Sequence, residues 1–192
     1  MLLKRLFDFV VSLAVLLLFG WLIAMFWAIA AIDTKSSGIF RQTRIGQFGK
    51  PFTILKLRSM TDTDPKRITA YGRWMRKYKV DELPQFLHVL VGQMSLVGPR
   101  PDVPGYYDEL YGENKRVLQL KPGLTSDAAI KYSNEDELLS LQSEPLKYND
   151  EILFPDKVKM NLDYLKNRSF FGDIATLART FAKFMPKNKN SR

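Results

Sequence analysis

Two adjacent carboxylates, Asp81 and Glu82, open the run Asp81-Glu82-Leu83-Pro84-Gln85-Phe86. Arg76 precedes Asp81 by five positions and Arg100 follows it by nineteen, inside Gly98-Pro99-Arg100-Pro101, where the prolines restrict the backbone. A carboxylate can attack phosphorus as a covalent nucleophile, provided a divalent cation offsets the phosphate charge and arginines orient the oxygens. Asp81 as nucleophile beside Glu82 as metal ligand, with the guanidinium forks of Arg76 and Arg100 on phosphate oxygens, meets those needs. Lys56 and Arg58 alternate with Leu55 and Leu57, so a strand there sets two cations on one face. That face reads either as a solvated surface or as a cationic wall for phosphate. The plain alternative for the acidic pair is a helix start, with Asp81 as N-cap and Pro84 in the first turn. Acids also adjoin at Asp108-Glu109, Glu135-Asp136-Glu137 and Asp150-Glu151. Adjacency therefore selects nothing; the neighbouring arginines and apolar runs favour 81–82.

Composition removes several rivals. The 192 residues contain no cysteine, which excludes disulfides, thiolate nucleophiles and Cys-bound metals. The single histidine, His88, lies inside an apolar run, where it reads as a packing residue and not as part of a Ser-His-Asp hydrolase or a His-rich zinc site. Lys and Arg number 29 against 20 Asp and Glu, a net charge of +9 that suits nucleic acid, anionic lipid or phosphorylated substrates. Gly46-x-x-Gly49-Lys50 lacks the Walker spacing and is followed by Pro51, so it reads as a hairpin turn.

The stretch from Phe9 to Ile32 has no charged residue and is long enough to cross a bilayer core, which makes membrane a better partner than nucleic acid. Its flanks are both basic: Lys4 and Arg5 before it, Lys35, Arg41 and Arg44 after it. The positive-inside rule puts both ends in the cytoplasm, which a helix that enters, bends near Gly20-Trp21 and returns would satisfy. A simple spanning helix is the alternative. Asp8 at the membrane edge reads as a partner for Lys4 or Arg5.

Residues 38–45 and 51–58 read as a β-hairpin across Gly46–Lys50. A loop at Thr61–Pro65 leads to a basic helix from Ile68 to Tyr78, whose Trp74 suits either an interface or a core. Phe86–Val91 reads as a helix ended by Gly92, Lys121–Thr125 as a turn, and Glu135–Leu141 as a polar helix. The tail places Phe170, Phe171, Ile174, Leu177, Ala178, Phe181, Phe184 and Met185 on one helix face, with Lys183, Lys187, Lys189 and Arg192 at its end. Lipid or the core would cover that face equally well.

Six motifs in order carry a family resemblance: Lys4-Arg5-x-x-Asp8; Phe40-Arg41-Gln42-x-Arg44-x-Gly46; Lys56-x-Arg58-Ser59-Met60; Asp81–Gln85; Met94–Pro101; and Lys121–Thr125. With these the chain resembles the small monotopic phosphoglycosyl transferases, bacterial sugar transferases that begin lipid-linked glycan assembly. The resemblance implies transfer of a sugar 1-phosphate from a UDP-sugar to undecaprenyl phosphate, with release of UMP. It implies Asp81 as the nucleophile that forms a phosphosugar ester, Glu82 as the Mg²⁺ ligand, and Arg76 and Arg100 as phosphate binders. It also implies an α+β protein of the bacterial inner membrane, on its cytoplasmic face. That protein has a re-entrant membrane helix over 1–36, then a catalytic domain over 37–192 with a short hairpin, mainly helical structure and interfacial amphipathic helices. The chain departs from the family where Gly20-Trp21 replaces Ser-Pro, Gln93 replaces an Asp before Met-Ser, and Asn161 replaces an Asp ahead of Tyr164. The rival reading is a membrane-anchored basic scaffold without catalysis. The identity of the sugar and homo-oligomerisation stay open.

Overall fold

In a computed structural model, which describes residues 2–184, the chain forms two compact units. The first holds the described residues up to Gly46 together with Lys50–Ser95, and the second holds Gln47–Gly49 and the described residues from Leu96 onward. Met185, Lys187, Lys189 and Arg192 of the expected tail lie outside the described residues.

The first unit begins with helix α1, Leu2–Thr34, whose 33 residues make it about 50 Å along the helix path. The apolar run supplies it, and it is the one helix among the described residues long and apolar enough to cross a membrane. Helical structure continues through Gly20 and Trp21, so the break expected there is not a break in the helix. Trp21 Nε1 donates to the Leu18 carbonyl within the same helix, at 3.0 Å.

Both ends of α1 are docked on this unit while its middle is exposed. At the N-terminal end the Arg5 guanidinium donates to the Val89 and Leu90 carbonyls, each at 2.6 Å, and buried Asp8 accepts from Ser95 Oγ at 2.7 Å. Of the two partners expected for Asp8, Lys4 or Arg5, the arginine instead serves orphan carbonyls at a helix C-terminus, which need donors. At the other end Ala30 packs with Leu57 and Met75 in a buried cluster that Phe26 also borders. Between these ends Leu17, Leu18, Phe19 and Trp21 are exposed.

The hairpin forms as the alternation predicts. Strands β1, Ile39–Ile45, and β2, Pro51–Leu57, pair antiparallel from Ile39↔Leu57 to Ile45↔Pro51. Helix α2, Ala70–Lys77, starts at Thr69, whose side chain accepts from Gly72 N, and it buries Met75. Trp74 is partly exposed and sits among rings, 5.7 Å from Phe26, Tyr71 and Tyr78. A 3-10 segment, Val80–Gln85, then runs into helix α3, Phe86–Leu90. Gly92, at φ +84°, takes the left-handed conformation that lets the chain leave that helix.

Strand β3, Ser95–Val97, which leads into the second unit at Leu96, pairs with β4, Gly123–Thr125. The expected turn at Lys121–Thr125 is thus partly a strand. Its glycine is required by close approach: a Cβ on Gly123 would lie 2.1 Å from the Gly98 nitrogen. Two of the six motifs are therefore one piece of structure, with Gly123 N donating to Pro99 O and Gly98 N to Thr125 O. The helices α4 (Asp127–Lys131), α5 (Glu135–Ser140), α6 (Pro145–Tyr148), α7 (Phe154–Asn167) and α8 (Phe170–Phe184) follow in the chain.

Helix α8 is turned opposite to a core helix. Asp173 and Thr176 are its buried residues; Asp173 accepts from the Tyr164 hydroxyl at 2.6 Å, and Thr176 bonds to Asp127 at 3.1 Å. Thr180 shares a hydrogen bond with Thr125 at 2.8 Å. Phe171 and Phe181, by contrast, are 83% and 68% exposed. The core reading of its apolar face does not hold for those two rings.

Candidate active site

The first unit holds five of the six residues singled out for chemistry: Asp81, Glu82, Lys56, Arg58 and Arg76. The chain turns at Lys79, whose φ of +56° is costly for a residue with a side chain, of order 1–3 kcal/mol. It then enters the segment that carries the acids. Lys79, not Asp81, is the N-cap, and no side chain caps this segment. The capping role expected for Asp81 is therefore corrected. The aspartate lies one residue inside the segment and turns inward.

Asp81 is 6% exposed and its Oδ1 has no hydrogen-bond partner in the chain. Burial first, and the charge of Glu82 second, push its carboxyl above the ordinary carboxylate range, while Lys56, Lys79 and Arg76 pull it down. Glu82 is treated differently. Its Oε1 accepts from Lys56 Nζ at 3.1 Å, with both side chains mostly buried. Strand β2 thus brings a lysine to one carboxylate of the pair and leaves the other oxygen-rich and unpaired at Oδ1.

Arg58, two residues on from Lys56 and just past the end of β2, pairs with Asp62 at 2.8 Å, and its Nε is buried without a partner. Arg76 is exposed at the end of α2 and acts on Asp81 through its charge. Arg100 belongs to the second unit and is exposed there.

His88 is a structural residue, as its setting in the sequence indicates. Its Nε2 accepts from Leu55 N–H at 3.2 Å and its Nδ1 pairs with Gln93 Oε1 at 2.7 Å, which requires the proton on Nδ1. Gln93, one of the family departures, is thus used in holding α3 to β2. Asn161, another, donates to the buried Tyr107 hydroxyl at 3.0 Å.

Among the described residues no group of three or more His, Cys, Asp or Glu could hold a metal. Two neighbouring carboxylates, one with a buried oxygen lacking any partner, nonetheless fit Mg²⁺, which is held by one or two carboxylates together with substrate phosphates. One buried group near the acids had no role in the sequence reading: Gln85, 3% exposed. The signal that could have found it is an amide four residues after Asp81 in a run that otherwise packs.

The chain belongs to the bacterial sugar transferase family, which it matches over residues 1–187. It is 35% identical to the uncharacterized sugar transferase EpsL of Bacillus subtilis, over 96% of this chain and 88% of EpsL. It is 32% identical to the UDP-glucose:undecaprenyl-phosphate glucose-1-phosphate transferase of Escherichia coli, over 95% of this chain and 40% of that protein. With the undecaprenyl-phosphate galactose phosphotransferase of Salmonella typhimurium the identity is 31%, over 93% of this chain and 39% of the relative. The chain spans most of EpsL but well under half of the two relatives named for a reaction.

Proposed function

We propose that the chain is a phosphoglycosyl transferase that moves a sugar 1-phosphate from a UDP-sugar to undecaprenyl phosphate. The observation that carries this is Asp81: buried, unpartnered at Oδ1, and made more basic by its surroundings. In the first step its carboxylate oxygen forms a bond to the sugar-bearing phosphorus. The bond from that phosphorus to the bridging oxygen breaks, and UMP leaves with the electron pair. In the second step a phosphate oxygen of undecaprenyl phosphate attacks the same phosphorus. That restores the Asp81 carboxylate and yields the lipid diphosphate sugar. Glu82, with Asp81 Oδ1, would hold Mg²⁺, which supplies charge neutralisation at the phosphates when bound. Arg76 supports the site by charge, and Lys56 keeps Glu82 oriented. Arg58 is assigned to phosphate binding through its unpartnered Nε, and the family resemblance implies the same role for Arg100.

The membrane reading rests on α1 and α8. A straight crossing would carry one end of α1 about 30 Å away, across the bilayer core. Both ends are instead bound to the same unit, which supports a helix that dips into the cytoplasmic leaflet and returns. The outward Phe171 and Phe181 of α8 support an interfacial seat for the second unit. The scaffold alternative read Asp81 and Glu82 as a helix cap, whereas the N-cap of that segment is Lys79.

The test is UMP release by membranes holding the chain, supplied with undecaprenyl phosphate, Mg²⁺ and a panel of UDP-sugars. UMP is expected with at least one sugar and is lost with EDTA. No UMP from any sugar would defeat the reading. The relatives named for glucose and for galactose make both sugars natural first members of the panel.

A further inference from the structure

The buried residues of the run from Val80 to Leu90 are Asp81, Pro84, Gln85, His88 and Val89, turned into the fold from the 3-10 segment and from α3. Three of the five are polar, and their hydrogen-bonding differs. Both His88 ring nitrogens are engaged within the fold. Asp81 Oδ1 and Gln85 Nε2 have no partner in the chain, so they do not bond each other either.

A carboxamide nitrogen is a donor only. Leaving such a donor buried and unmatched costs about 1–3 kcal/mol, which a Met or Leu of similar volume would avoid. The fold therefore gains nothing from this amide that an apolar residue would not supply at lower cost. What it offers is a buried, unpartnered N–H four residues after Asp81 in the same segment. Its partner must be an acceptor. The acceptors that an Asp81 nucleophile brings to this segment are the oxygens of the phosphoryl group under attack.

We propose that Gln85 is a substrate-binding residue whose Nε2–H donates to a non-bridging phosphoryl oxygen of the nucleotide sugar. The proposal rests on the phosphoryl-transfer reading and sharpens it. Asp81 supplies the electron pair, and Gln85 holds an oxygen on which negative charge gathers as the bond forms. It also assigns a use to a third side chain of the Asp81–Gln85 motif.

The experiment uses the full chain in detergent, with UDP and Mg²⁺ as the binding probe, in wild type, Gln85→Met and Gln85→Glu. Gln85→Met, close to isosteric and without a donor, should keep or raise the melting temperature. It should weaken UDP binding about tenfold, the scale of one hydrogen bond to a charged group. Gln85→Glu, which sets a carboxylate against the phosphate, should weaken it further. Wild-type affinity in Gln85→Met overturns the proposal. So does a lower melting temperature in that variant, because the fold would then be using the amide. UMP release is read in parallel. If wild type binds UDP but makes no UMP with any sugar, the transfer reading fails while the binding comparison still decides Gln85. Wild type that binds no UDP overturns both.

Discussion

Replacing Asp81 by Asn keeps the shape of a buried side chain and removes its charge, which separates stability from chemistry. Burial and the neighbouring Glu82 raise the Asp81 pKa, so the ionised form is disfavoured in the fold relative to the unfolded chain. Such a group makes the folded state bind its proton more tightly. Wild-type stability then falls as pH rises from the unfolded value, about 4, through the raised folded value, and it stays reduced above that. The Asn variant lacks this penalty. Its amide still leaves one buried polar atom short of a partner, which cancels part of the 1–3 kcal/mol cost of the open Oδ1. A net gain of about 1 kcal/mol remains at neutral pH, or about 2–4 °C in melting temperature for a chain this long. Melting curves of both proteins across the acid range should show the gap open at neutral pH and closing as pH falls towards about 4. UMP release should be lost in Asp81→Asn throughout. In wild type it should fall on acidification at a pH above that of an ordinary aspartate. An Asn variant less stable than wild type at neutral pH, or a gap independent of pH, would refute the electrostatic reasoning. Undiminished turnover would remove Asp81 as the nucleophile.

Arg5→Ala leaves two carbonyls at the end of α3 without their charged donor. It should lower stability by about 2 kcal/mol, read as a drop of about 4–8 °C, with Arg5→Lys intermediate. The native chain has no cysteine, so single cysteines at Leu2 and Ser37 report topology cleanly. Both should react with an impermeant maleimide only after the cytoplasmic side is opened. Labelling of Leu2→Cys from outside intact cells would establish a spanning helix.

The hairpin and the long N-terminal helix were legible because their signals are periodic and local. Alternation over residues 39–57 fixes which residues pair, and the charge-free run fixes α1. The pairing of β3 with β4 was not legible. Strands of three residues carry no usable alternation, and Lys121-Pro122-Gly123 has the composition of a turn. In α8 the sequence marked the apolar face but not its direction. That direction depends on Asp173, Thr176 and Thr180 finding Tyr164, Asp127 and Thr125, partners that helix periodicity does not specify. Likewise Gln85 is one more polar letter in a motif until the structure shows that nothing in the chain accepts its proton.

The capping reading of Asp81 failed for a reason that bears on the chemistry. An N-cap aspartate accepts a backbone N–H, and a hydrogen bond to the charged form lowers its pKa and makes it a poorer nucleophile. Here the left-handed turn at Lys79 starts the helical segment earlier, so the acids fall past the cap position. Glu82, the second of them, meets Lys56 on β2 and has its charge matched. Asp81 meets burial and the negative charge of its neighbour, and its Oδ1 accepts nothing. The same backbone turn therefore divides two adjacent carboxylates into one that is held and one that is reactive. A residue at 79 that stays out of the left-handed region should move the segment start and restore Asp81 towards a cap. On this reasoning Lys79→Pro, barred from positive φ, should lose UMP release even though Asp81, Glu82 and Gln85 are all unchanged. Lys79→Gly, free to adopt it, should retain release, and equal activity in the two variants would show that the turn does not set the division.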